Sequence, residues 1–316
     1  MTHMSSASEG RFPSSSVPLL TRPPRIATLR TDDGVPVEAV YEPWAPAAAT
    51  PGDAAGDGPA AVPAIVVAHG FTGSADRPAV RRAARVFARR AAVVTFSFRG
   101  HGRSGGRSTV GDREVLDLAA AVAWARELGH SRVVTVGFSM GGSVVLRHGA
   151  LHRAPDSAPW TAESPAGRTA VRVPARAGRR ERPGAHADAV VSVSAPARWY
   201  YRGTAPMRRL HWVVTRPSGR LVGRYGLRTR IATEAWNPVP LSPVAAVPLI
   251  APAPLLLVHG DRDPYFPLDH PRMLAEAAGP GGAELWLERG MGHAENAADD
   301  ALLARIADWA TAAPRA

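Results

Sequence analysis

Short, unbroken apolar runs alternate with stretches of helical periodicity along most of this chain. Residues 64–68 read AIVVA, 93–97 read VVTFS and 132–137 read RVVTVG. Between them, residues 78–90 carry Val80, Ala83, Ala84 and Phe87, and residues 114–128 carry Val115, Leu118, Ala119 and Val122. These spacings place each set on one helical face. Residues 140–152 form the next predicted helix. The rhythm resumes with strands at 189–193, 255–259 and 284–287, and with helices at 268–278 and from about 300 to 310. Ahead of it, residues 26–29 and 35–41 flank Asp33-Gly34, a hairpin signal. Strands apolar on both faces, separated by amphipathic helices, predict an α/β fold. The expected architecture is a mostly parallel, doubly wound sheet of about eight strands.

Other segments break the rhythm. Residues 1–24 are rich in Ser and Pro and read as a disordered tail, which leaves residues 25–316 as one domain. Residues 45–62, mostly Ala, Pro, Gly and Asp, read as a surface loop. Residues 153–188 hold Pro, Ala, Gly and Arg with little apolar periodicity, and read as a disordered insertion. Residues 197–253 differ: they hold Trp199, Tyr200, Tyr201, Trp212, Tyr225 and Trp236, with two short helices expected either side of Pro217. So aromatic a stretch reads as a small helical cap laid over the sheet edge.

The candidate chemistry sits at strand ends. Gly137-Phe138-Ser139-Met140-Gly141 matches G-x-S-x-G, with RVVTV before it and a helical pattern after it. A serine at a sharp strand-to-helix turn needs small neighbours, and the turn lifts its hydroxyl above the sheet. A serine hydroxyl is a poor nucleophile at neutral pH and needs a base, itself oriented by a carboxylate. The order expected on such a sheet is Ser, acid, His. The strand at 255–259 is followed by Gly260-Asp261-Arg262-Asp263-Pro264, and Gly290-Met291-Gly292-His293 follows the next strand. Asp263 is preferred to Asp261 because it lies further past the strand end and just before the Pro264 turn; Asp261 is the alternative, or a loop stabiliser. His293 completes the order, whereas His69, His101 and His259 sit in strand-end turns where a structural hydrogen bond is the commoner role. After the first buried strand comes His69-Gly70-Phe71-Thr72-Gly73, where the N–H of Phe71, with that of Met140, would form an oxyanion hole.

Composition changes this picture little. The 38 basic residues are all arginine against 27 acids, a formal charge of +11. With abundant Ala, Gly and Pro this fits coding bias, and the scattered arginines give no nucleic-acid stripe. With no cysteine, disulfides and thiolate metal sites are excluded, and no metal or cofactor is expected. The N-terminus has no apolar signal region, and the most apolar stretch, residues 244–258, is too short and too rich in proline to span a membrane. A cytoplasmic protein without a membrane span is expected.

Five motifs together resemble the α/β-hydrolase superfamily: HGFTG at 69–73, FRGHGRSGG at 98–106, GFSMGG at 137–142, HGDRDPYFP at 259–267 and GMGH at 290–293. They are most similar to bacterial esterases, monoacylglycerol-lipase-like enzymes and serine aminopeptidase-like hydrolases. The resemblance implies an α/β-hydrolase fold, Ser139, Asp263 and His293 as a triad, and Phe71 and Met140 as oxyanion donors. Such enzymes usually carry an acid before the R-G-x-G-x-S loop, where this chain has Ser97-Phe98. A serine elbow separates the chain from members that use aspartate or cysteine nucleophiles. The expected reaction is hydrolysis of an ester, or an amide, of a small-molecule acyl substrate. Acyl transfer or perhydrolysis on the same triad is the alternative, and a non-catalytic ligand receptor is the alternative of another class. Trp199, Tyr200, Tyr201 and Trp212 are candidates to line the acyl pocket.

Overall fold

The computed structural model describes residues 23–45, 62–154 and 182–313. Among these, eight strands form one sheet: β1 (Arg25–Arg30), β2 (Pro36–Glu42), β3 (Ala64–Ala68), β4 (Ala92–Phe96), β5 (Val133–Phe138), β6 (Ala189–Val193), β7 (Leu255–Gly260) and β8 (Glu284–Glu288). The helices are α1 (Pro78–Phe87), α2 (Glu114–Glu127), α3 (Met140–Leu151), α4 (Ala205–Thr215), α5 (Pro217–Tyr225), α6 (Pro243–Ala246), α7 (Asp269–Ala278), α8 (Ala294–Ala297) and α9 (Asp300–Ala312). Strand order is β1-β2-β4-β3-β5-β6-β7-β8. β2 runs antiparallel to both β1 and β4, and every other pairing is parallel. The expected mixed, mostly parallel sheet is therefore present.

The continuous apolar runs follow from burial on both faces. Along β3, Ala64, Val66 and Ala68 enter one core, while Ile65 and Val67 enter the other. The first core takes Leu118 of α2, Val144 and Val145 of α3 and Leu274 of α7. The second takes Phe87 of α1 and Leu303 and Ile306 of α9. Each such fully buried side chain contributes about 1.5–3 kcal/mol relative to exposure. Helix starts are set locally. Pro78 and Pro217 stand in the first turns of α1 and α5, and the Asp299 carboxylate caps α9 by accepting from the Leu302 N–H at 2.8 Å.

Two parts of the sequence reading fall largely outside the described residues: the N-terminal tail, and the 45–62 loop apart from its ends. So does most of the 153–188 insertion, but its last residues are packed. Asp188 pairs with Arg126 at 2.7 Å and accepts from the Val133 N–H at 2.6 Å, which leads the chain directly into β6. Short α6 and α8 were not expected, because four residues show no period. Among the described residues no helix is long and apolar enough to cross a membrane.

The 197–253 segment carries α4, α5, α6 and a 3-10 turn, Val247–Leu249. It is fastened to the loop after β4: Arg230 N–H donates to Gly100 O at 2.8 Å, and Ser108 N–H donates to Arg230 O at 2.7 Å. Gly100 has φ +76°, and a Cβ there would lie 2.4 Å from Arg230 O, so this contact demands glycine. The segment thus sits above the carboxyl ends of the central strands.

Candidate active site

Ser139 is the single residue between β5 and α3, at φ 53° and ψ −113°. A non-glycine residue rarely holds positive φ, and this one is over-determined by its neighbours. A Cβ at Gly137 would lie 2.2 Å from Gly141 O, and one at Gly141 would lie 2.1 Å from Ala68 O. The two glycines therefore let the turn close against β3, and the Ser139 N–H is consumed by Val193 O at 2.8 Å. Its side chain is left facing a cavity of about 730 Å³.

His293 Nε2 lies 2.8 Å from Ser139 Oγ, and its Nδ1 lies 2.7 Å from Asp263 Oδ2. The side chains come from the turn after β5, the loop after β7 and the loop after β8, 154 residues separating serine from histidine. Asp263 is buried, and burial alone would raise its pKa. Hydrogen bonding and charge interaction with His293, with the N–H groups of Tyr265 and Phe266 donating to Oδ1 at 2.8 and 3.1 Å, outweigh that and hold it below the usual carboxylate value. An ionised Asp263 only accepts, so Nδ1 carries the imidazole proton and the Nε2 lone pair meets the serine hydroxyl. The Tyr265 ring covers His293 at 4.3 Å between centroids.

Asp261 takes the other role open to it. Its Oδ1 accepts from the Gly290 N–H at 2.6 Å and ties the acid-bearing loop to the histidine-bearing loop. The rival histidines are held by backbone. His69 is fully buried, its Nε2 accepts from the Phe98 N–H at 3.0 Å and its Nδ1 donates to Gly70 O at 2.7 Å; burial lowers its pKa to about 3. His101 bridges Arg99 O and the Thr72 N–H, and burial again lowers its pKa. His259 Nε2 bonds Phe266 O at 2.8 Å and lies 3.7 Å from Asp263 Oδ2, the oxygen that meets His293.

Phe71 and Met140 both line the cavity beside Ser139. Neither backbone N–H has an acceptor among the described residues. The Gly70–Gly73 turn is closed by Gly73 N–H to Gly70 O at 3.0 Å. The Met140 N–H begins α3, whose dipole adds positive potential there.

Trp199, Tyr200 and Tyr201 line the cavity, but Trp212 does not. Most of α4 borders the cavity, Met207, Leu210, His211 and Val214 included, but Trp212 projects from the outer side, 45% exposed. The helical register, which the sequence alone leaves undefined, removes it from the pocket. Trp236 replaces it: this ring lines the cavity, packs tilted against Trp199 at 5.1 Å between centroids and donates to Thr109 O at 2.7 Å.

Two acids outside the sequence reading also bear on the site. Glu295 follows His293 closely, is buried, and accepts from the Gly70 N–H at 3.2 Å. Glu38, on β2, accepts from Arg103 Nε at 2.6 Å and from Ser97 Oγ at 3.2 Å. The loop after β4 thus has its carboxylate, supplied from the neighbouring strand. Among the described residues no group of three or more His, Asp or Glu side chains could hold a metal ion.

A family model described as alpha/beta hydrolase fold matches residues 63–295. A search of curated protein sequences returns no match. Among solved structures, the esterase Pf2001 of Pyrococcus furiosus superposes with a TM-score of 0.60 at 19% identity, over 91% of each chain. XC6422 of Xanthomonas campestris, described as an a/b serine hydrolase without lid, gives 0.51 at 17% identity over 93% of this chain and 94% of its own. Est1E of Butyrivibrio proteoclasticus, solved with ferulic acid bound, gives 0.50 at 16% identity over 90% and 96%. At these identities the likeness concerns the fold.

Proposed function

The chain belongs to the α/β-hydrolase fold family, and from that premise we propose that it is a serine hydrolase that cleaves carboxylic esters of small molecules. One observation carries the reading: a hydroxyl, an imidazole and an ionised carboxylate stand in a line with contacts of 2.8 and 2.7 Å, beside an apolar cavity.

In this mechanism His293 Nε2 takes the proton of Ser139 as Oγ attacks the ester carbonyl. Asp263 fixes the tautomer and stabilises the imidazolium. The N–H groups of Phe71 and Met140 receive the oxyanion, each donor of this kind being worth about 2.7–4 kcal/mol in the transition state. The bond to the leaving alcohol breaks as Nε2 returns its proton to that oxygen. Water, deprotonated by the same nitrogen, then cleaves the acyl-enzyme and restores Ser139. Trp199, Tyr200 and Tyr201 would form one wall of the acyl site.

The test is labelling of the purified chain by a fluorophosphonate, with a screen of p-nitrophenyl esters of graded length. Ser139→Ala should abolish labelling and lower ester turnover by about 10⁴-fold or more while the melting transition persists. Hydrolysis surviving that substitution would overturn the assignment.

A further inference from the structure

Helix α5 faces the wrong way for a packed helix. Gly219 and Gly223 are its buried residues. A Cβ at Gly219 would meet Trp212 O at 2.2 Å, and one at Gly223 would meet Ile231 Cδ1 at 2.9 Å. The inner face is thus glycine backbone pressed against α4 and against Thr229 and Ile231. The larger apolar side chains are left outside: Leu221 is 58% exposed, Val222 45% and Tyr225 73%. Trp212, on adjoining α4, joins them at 45%. An amphipathic helix ordinarily buries such residues and exposes its small ones.

The charge of this element is as one-sided as its burial. Residues 198–230 contain nine arginines and no Asp or Glu. The concentration is hidden in the overall composition, where the arginines look scattered. Arg198 pairs with Asp269 at 2.9 Å. Arg208, Arg216, Arg224 and Arg228 have no carboxylate within ion-pair distance among the described residues, whereas Arg209, also without one, lines the cavity. Arg224 lies over the Tyr225 ring at 5.5 Å, with its charge beside the exposed apolar group.

We propose that the outer face of the α4–α5 hairpin docks on an anionic lipid surface. Leu221, Val222 and Tyr225, with Trp212, enter the acyl boundary, and the unpaired arginines meet lipid phosphates. A basic helix with exposed aliphatic and aromatic residues has the composition of an interfacial segment. Self-association through this face would oppose two acid-free, arginine-rich surfaces. A nucleic acid would satisfy the arginines but has no use for Leu221 and Val222. The opposite side of α4 lines the cavity through Met207, Leu210 and Val214, so a docked surface lies directly over the Ser139 site. The docking itself does not depend on the ester-hydrolase reading.

The experiment is co-sedimentation of the full chain with vesicles of phosphatidylglycerol and phosphatidylcholine in equal parts, against phosphatidylcholine alone, at low and high salt. Binding should require phosphatidylglycerol and weaken with salt. Leu221→Ser with Tyr225→Ser should weaken it roughly tenfold, and Arg216→Gln with Arg224→Gln by roughly tenfold or more. Both variants should keep the wild-type melting temperature and turnover of a short soluble ester. If the serine pair lowers melting, the arginine pair carries the test alone. Absence of binding to the anionic vesicles, or equal binding to phosphatidylcholine, overturns the proposal. So does a serine pair that folds and binds as wild type, duplex DNA bound as tightly as the vesicles, or a dimer in gel filtration that the serine pair dissolves.

Discussion

The carboxylate of Glu295 accepts a hydrogen bond from the Gly70 N–H at 3.2 Å, joining segments 225 residues apart. One partner precedes Phe71, whose N–H would receive the oxyanion, and the other follows His293. A Cβ at Gly70 would lie 3.2 Å from Glu295 Oε1 and 3.4 Å from the Ser139 Cβ, so a side chain there would crowd both groups. In the proposed mechanism Glu295 would therefore act as a positioning residue, coupling the Phe71 loop to the histidine loop. Glu295→Ala should lower kcat by about 10–100-fold, the range expected when reacting groups shift by an ångström, with KM little changed. Glu295→Gln keeps an acceptor and should restore most of the rate. Equal loss in both variants would show that the hydrogen bond to Gly70 is not what matters.

Asp263 and Asp261, two residues apart, should behave very differently. Asp263 holds the His293 Nδ1 proton, whereas Asp261 accepts from the Gly290 N–H and reaches no ring. Asp263→Asn presents an amide that can donate to Nδ1 and trap the wrong tautomer, so kcat should fall by about 10⁴-fold. Asp261→Asn retains an acceptor for Gly290 and should cost less than about tenfold, with a stability loss near 1 kcal/mol. Steady-state kinetics of the two variants on one ester, with urea melts alongside, separates the roles; a reversed order would move the acid to position 261.

Much of this was legible in the sequence because the fold writes its own signal. Strands buried on both faces are dominated by apolar residues, so β3, β5 and β6, interrupted only by Thr135 and Ser192, stand out as apolar runs within a residue of their actual bounds. Ser139 is marked by the glycines its turn requires. What could not be read has equally physical causes. Glu295 acts through one side-chain contact across the whole domain, and nothing in its neighbourhood announces a partner at Gly70. Trp212 looked like a pocket residue by composition, but its fate is set by the phase of α4. Glu38 supplies from β2 the carboxylate missing beside Ser97, which only the β2–β4 pairing reveals.

Trp199 and Tyr201 each have a packing face and a cavity face. Trp199 packs at a tilt against Trp236 and donates to Pro240 O at 2.9 Å, and Tyr201 meets the His270 ring edge-on at 4.4 Å. Truncation should therefore change both properties. Trp199→Ala should cost about 2–4 kcal/mol of stability and shift the preferred p-nitrophenyl acyl chain towards greater length as the pocket enlarges. Tyr201→Ala should do the same to a smaller degree. A chain-length profile identical to wild type in a folded variant would assign these rings to packing alone.

Glycines in this chain should separate into those needed for space and those needed for conformation. A Cβ at Gly141 would meet backbone oxygen of Ala68 at 2.1 Å, whereas Gly34, at φ +81°, has nothing within 4 Å. Gly141→Ala must push the elbow away from β3 and should destabilise by about 3 kcal/mol or more, with ester turnover lost along with it. Gly34→Ala meets only the left-handed penalty of about 1–2 kcal/mol and should leave turnover intact. Urea unfolding of the two variants, read beside their specific activities, tests both halves.

Acid should destabilise the fold before pH reaches the ordinary carboxylate range. Burial lowers the pKa of His69 to about 3 and of His270 to about 4, and holds His148 and His259 below the ordinary value of 6.5. Their folded pKa values are depressed, so the unfolded chain binds protons first as pH drops below about 6.5. The stability these neutral rings contribute is fully present above that value and is lost as pH falls towards their folded pKa values. Each ring removes up to about 1.4 kcal/mol per pH unit in that window. Asp117 acts in the opposite sense: burial, only partly offset by Arg99 at 2.7 Å, raises it to about 7, so its contribution grows as pH falls. One such group cannot cancel four histidines. Unfolding free energy from urea titration should therefore fall by several kcal/mol between about pH 7 and pH 5. His69→Gln, which can keep a side-chain acceptor near the Phe98 N–H but cannot be protonated, should show a shallower decline. Equal stability of the wild type at both pH values would mean that these rings take up protons as readily in the folded chain as in the unfolded one.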